Sequence, residues 1–147
     1  MSQTTFSGPL ASGDINAGKT GGPNIGLAVL SQTVLIDFDA TLVQNGTVYL
    51  PYDSQIVDIV VDVLTAYNSA TTATLTVGTA SAGTTYASGV NAKTAGRVRP
   101  TFTAAQLAAM DDIDTNGTVV ATVTSVGQPT AGQVRVTYLY VQTTAND

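Results

Sequence analysis

"SQIVDIVVDVLTAY" (residues 54–67) decides how the rest of the chain is read. Val57, Ile59, Val61 and Val63 fall on one side at a spacing of two, with Asp58 and Asp62 on the other. That alternation is the signature of a half-buried β-strand. A helix would also bring Asp58 and Asp62 to one face. It would, however, crowd β-branched residues together at a cost in side-chain freedom. We read a strand.

The same texture extends on both sides. In "TVLIDFDATLVQ" (33–44), Val34, Ile36, Phe38, Ala40 and Leu42 alternate with Leu35, Asp37, Asp39, Thr41 and Val43, which predicts one strand. Asn45-Gly46 then supplies the residues of a tight hairpin turn, with Thr47–Leu50 as the returning strand. "TATLTVGTA" (72–80) predicts a short strand ending at Gly78, and 81–98 reads as loop, rich in Gly, Ser, Thr and Ala. "TFTAAQLAAMDD" (101–112) is the one helical stretch, with Thr103 as N-cap and with Asp111, Asp112 and Asp114 opposing the dipole at its end. "NGTVVATVTSV" (116–126) predicts a second Asn-Gly turn opening a strand, and "GQVRVTYLYVQ" (132–142) a last strand with Val134, Val136, Tyr138 and Tyr140 on one face.

Strands at hairpin spacing with one helical turn predict an all-β fold, an antiparallel β-sandwich of jelly-roll or immunoglobulin-like type with one short helix. Residues 27–147 form the body. Residues 1–26 form an extended N-terminal arm, because Gly8, Pro9, Gly13, Gly18, Gly21, Gly22 and Pro23 interrupt any regular structure there. Phe6, Leu10 and Ile15 nevertheless make that arm too apolar for a plain solvent linker. "MSQTTFSGPLASG" has neither a basic start nor an apolar run, so we expect no secretion signal and synthesis in a cytoplasm.

Composition removes whole classes of function. The chain of 147 residues has no Cys, no His, no Glu and no Trp. Disulfides, thiolate metal sites and imidazole proton transfer are therefore excluded, and no cofactor is expected. Its net charge is −5, and the five basic residues are scattered, which excludes a phosphate-binding stripe for nucleic acid and a basic face for anionic membranes.

Three features remain as candidate sites. If their strands were adjacent, Asp37, Asp39, Asp58 and Asp62 could surround a hard cation such as calcium. The plainer reading, which we prefer, is that they keep a sheet face wet and block edge pairing. "DDIDTNG" (111–117) lacks the Gly and closing Glu of a calcium loop and reads as a turn. Carboxylate-only glycosidase chemistry would want aromatic platforms, and Trp is missing, so we expect no enzyme. "NAKTAGRVRP" (91–100) gathers Lys93, Arg97 and Arg99, either as a solvated loop or as a docking element for an acidic partner. With no secretion signal expected, the "NGT" sequons at 45 and 116 read simply as turns.

The stretch from Tyr49 to Pro100 carries Leu50-Pro51 before a long strand, Thr65-Ala66-Tyr67 at its end, "LTVGT" at 75–79, Tyr86-Ala87-Ser88 and Thr94-Ala95-Gly96. Together with "FSGP" at 6–9, these elements resemble head decoration, or cement, proteins of tailed bacteriophages. The resemblance implies a structural virion protein on the outer capsid surface that stabilises contacts between capsomers. It also implies a homotrimer, with the major capsid protein as partner and no nucleic acid or membrane. An arm that cannot fold alone can order on a preformed surface. Phe6, Pro9, Leu10, Ile15, Lys19 and Ile25 would then be its contacts, with Lys93, Arg97 and Arg99 on the body. The alternative is a fibre or knob module binding host glycans through Tyr49, Tyr52 or Tyr86.

Overall fold

The computed structural model describes residues 28–113 and 117–142. Eight strands and one helix follow in the order β1 (Leu30–Asp37), β2 (Val43–Tyr49), β3 (Ser54–Thr65), β4 (Ala73–Gly78), β5 (Ala87–Asn91), β6 (Gly96–Val98), α1 (Ala104–Asp111), β7 (Thr118–Ser125) and β8 (Gln133–Gln142). They form two four-stranded antiparallel sheets, β1-β8-β3-β6 and β2-β7-β4-β5. Four of the pairings are nested, β1 with β8, β2 with β7, β3 with β6 and β4 with β5. This is one long hairpin rolled into two sheets, the jelly roll. The immunoglobulin-like alternative falls with that order.

The core lies between the sheets. Ile59, Val61, Leu75, Val77, Val119, Val123, Val134, Val136 and Tyr138 contribute fully buried side chains from strands of both. Thr103 caps α1 with a reciprocal capping box, its hydroxyl accepting from the Gln106 amide at 3.2 Å while the Gln106 side chain accepts from the Thr103 amide at 2.9 Å. Met110 is buried in the core, with Phe102 and Ala109 packed against it.

Four local expectations need correction. The run 33–44 is two strands in different sheets, since β1 ends at Asp37 and β2 begins at Val43. Phe38 and Leu42 therefore sit exposed at the crossing and not in the core. Asn45-Gly46 is no turn: it lies inside β2, opposite Thr122 and Ala121. A Cβ on Gly46 would stand 2.7 Å from Val34 Cγ2 and 2.8 Å from Ile36 Cγ1, so glycine is there to let the opposite sheet approach. Asn45 Oδ1 accepts from Thr122 Oγ1 at 2.8 Å and from Ser81 Oγ at 3.0 Å.

In β3 a register shift between Ile56 and Asp58 leaves Val57 without a partner and 51% exposed. The inward set is Ile56, Ile59, Val61 and Val63, because the bulge slips the alternation by one residue. The stretch 81–98, read as loop, contains β5 and β6. Small and glycine-rich strands are poor in β-propensity, and their pairing to β4 and β3 makes them strands. The expectation of sequential hairpins holds only for β4 and β5, since every other consecutive pair of strands changes sheet. The arm of residues 1–26, with Phe6, Pro9, Leu10, Ile15, Lys19 and Ile25, lies outside the described residues, as do Asp114 and Asn116.

Candidate interaction site

The outer face of the β1-β8-β3-β6 sheet carries the densest charge chemistry of the described residues. Register builds it. Asp62 on β3 lies opposite Arg135 on β8 and opposite Arg97 on β6, so one carboxylate is flanked by guanidiniums from both neighbouring strands. Arg97 donates through Nε at 2.6 Å to Oδ1 and through Nη2 at 3.2 Å to Oδ2. Arg135 donates through Nε at 3.1 Å and Nη2 at 2.7 Å, both to Oδ2.

The two guanidiniums cover Asp62, which is buried although it points outward. Their hydrogen bonds, Arg97 first and then Arg135, hold its carboxyl down at about 2 against an ordinary 3.8, outweighing the opposing effect of burial. One row along, Val60 pairs with Thr137, which faces Thr33, and the two hydroxyls lie 3.1 Å apart. In the next row Asp58 faces Leu139, and Arg99 Nη1 stands 3.5 Å from Asp58 Oδ2. Val60, Asp62, Arg97, Arg99, Arg135, Thr137, Leu139 and Thr33 line a shallow depression of about 460 Å³.

The predicted site residues divide. Arg97 and Arg99 belong to this patch. Lys93 does not: its Nζ donates to the carbonyl oxygens of Ser69 at 2.7 Å and Thr71 at 3.1 Å, tying its loop to the connection between β3 and β4. The four aspartates do not converge, because β8 separates β1 from β3. Asp37 instead accepts from Gln133 Nε2 at 2.6 Å. Asp39 accepts from the Thr41 hydroxyl and amide at the crossing, and the hydroxyl bond leads the lowering of its pKa. Among the described residues no three potential metal ligands come together. Tyr49 and Tyr52 are widely exposed near the start of β3, whereas Tyr86 is buried.

Reading the sequence missed Arg135, because an arginine among alternating valines looks like any solvent-facing strand residue. Its one signal was parity: in "GQVRVTYLYVQ" it shares a face with Thr137 and Leu139, and only pairing brings that face beside Asp62.

With this geometry in hand, comparison with known proteins places the fold. No family model and no curated protein sequence matches the chain. A solved structure described as the capsid of Ralstonia phage GP4 aligns over 86% of this chain and 92% of that one, with a TM-score of 0.55 and 19% identity. The fold is shared with a phage capsid chain. At that identity the likeness extends to the fold and to no individual residue.

Proposed function

We propose that the chain is a structural, non-catalytic virion protein. It binds the outer surface of a phage capsid and stabilises contacts between capsomers, with residues 1–26 as a strap. The observation that carries this reading is the match of the jelly-roll body to a phage capsid chain over 92% of that chain's length. Composition supports it: a chain with no Cys, no His and only 10% charged residues suits passive stability better than chemistry. Phe6, Pro9, Leu10, Ile15, Lys19 and Ile25 make the arm's contacts, their burial on the shell offsetting the cost of ordering a glycine-rich segment. The major capsid protein and further copies of the chain, as a homotrimer, are the partners. Many weak attachments per particle then add up to a lasting one.

Quantitative mass spectrometry of purified particles, scaled to the major capsid protein, tests the reading. Copies on the order of hundreds per particle, with binding lost on deletion of residues 1–26, are the expected result. A few copies per particle would instead direct attention to Tyr49 and Tyr52 as a glycan-binding surface. Absence from the particle would overturn the virion assignment.

A further inference from the structure

Three of the five basic residues of an acidic chain meet on one depression of the outer sheet face. Arg97 and Arg135 each spend their Nε and Nη2 on Asp62, which leaves Nη1 of both without a hydrogen-bond partner among the described residues. The side chains of Arg97, Arg99 and Arg135 are 66%, 70% and 43% exposed. Three guanidiniums against the carboxylates of Asp58 and Asp62 leave the patch positive on a molecule whose net charge is −5. Val60 and Leu139 supply the apolar part of the lining, and Thr33 and Thr137 add hydroxyls.

We propose that this depression is a docking site for an acidic peptide segment of a protein partner. The arginines take a carboxylate of that segment, and an adjoining aliphatic side chain lies over Leu139. Asp62 holds two of these guanidiniums on the sheet face and offsets part of their charge, so it moderates the attraction of the patch for an anion. Charge complementarity selects the partner, since the patch attracts anions while the rest of the surface repels them. A nucleic-acid backbone is disfavoured because a single small patch cannot track successive phosphates. A free anion would make no use of Val60 and Leu139 in the lining. The inference stands apart from the virion reading, because its test needs no particle.

The test is a titration of the isotope-labelled full-length chain, followed by amide chemical shifts. The probes are a short blocked peptide alternating Glu and Leu, its counterpart with Gln in place of Glu, and an oligothymidylate. The expected result is saturable shifts at Val60, Arg97, Arg99, Arg135 and Leu139 with the Glu peptide. They weaken as salt rises and are largely missing with the Gln peptide. Arg99→Gln, whose ion pair is long and exposed, is expected to leave the fold intact and to weaken binding about two- to fivefold. Asp62→Asn, which uncovers positive charge, is expected to tighten it by a similar factor. If that variant fails to fold, Arg99→Gln alone decides. Shifts elsewhere on the surface, equal response to the Gln peptide, tighter binding of the oligothymidylate, or no saturable response would each overturn the proposal.

Discussion

The carboxylate of Asp62 lies on the solvent side of its sheet, yet the arginines on either side cover it. Its pKa is lowered from 3.8 to about 2 by hydrogen bonds from Arg97 and Arg135. A depressed carboxyl binds fewer protons in the folded state than in the unfolded chain. Its stabilisation is therefore complete above about pH 4 and lost as pH falls through the folded value near 2. Asp62→Asn should cost about 1–2 kcal/mol at neutral pH in urea unfolding, discounted for the exposure of the arginines, and should flatten the loss of stability between those pH values. Tyr67 makes the opposite case. Burial first, then the charges of Asp37 and Asp39, push its phenol from 10.0 to about 12, and its buried hydroxyl has no hydrogen-bond partner among the described residues. Folding therefore retains that proton, and stability present below pH 10 falls as pH rises toward 12. Tyr67→Phe should be neutral or slightly stabilising near pH 7 and should reduce this alkaline loss, read by urea midpoints across that range.

At the scale of elements, Asn45-Gly46 looked like a hairpin turn, yet Gly46 lies inside β2 and serves close approach, as does Gly117 just before β7. Gly117 lies where a Cβ would stand 1.9 Å from the Leu50 carbonyl oxygen, beside the Leu50 amide that donates to the Gly117 carbonyl at 2.7 Å. Gly46→Ala should destabilise by about 1–3 kcal/mol through overpacking against Val34 and Ile36. Gly117→Ala should cost more, because the obstacle is backbone that cannot swing aside. Thermal or urea unfolding of the pair orders the two. The bulge in β3 makes a sharper contrast. Val57→Ala should change stability by less than about 0.5 kcal/mol, while Ile59→Ala should cost about 2–5 kcal/mol. Equal costs would mean that the alternation runs unbroken through residue 57. Such a slip is hard to see in sequence, because Ile56 and Val57 are both β-branched and either phase places an apolar residue inward.

For the whole molecule, the nested pairing sets a kinetic expectation. β1 pairs with β8 from opposite ends of the described body, and β8 must sit between β1 and β3 before their sheet is complete. Most ladder contacts therefore close long loops, and stopped-flow refolding should be slow, on a timescale of ~milliseconds to seconds. Folding faster than that range would contradict the topology. The sequence by itself determined what depends on near neighbours along the chain. The presence of strands at β3, β4, β7 and β8, the cap at Thr103, and the lack of His and Cys that removes common catalytic and metal chemistry were all legible there. Tertiary structure alone decided what depends on partners far apart. It made strands of the glycine-rich 87–91 and 96–98, split 33–44 between sheets, and chose the jelly roll over another sandwich. It also joined Arg135 to Asp62 and Arg97, residues 73 and 35 positions from that aspartate. The physical reason is that side-chain alternation is a local property of the pleat. Which strand lies beside which is fixed only when the whole rolled hairpin buries its two inner faces together.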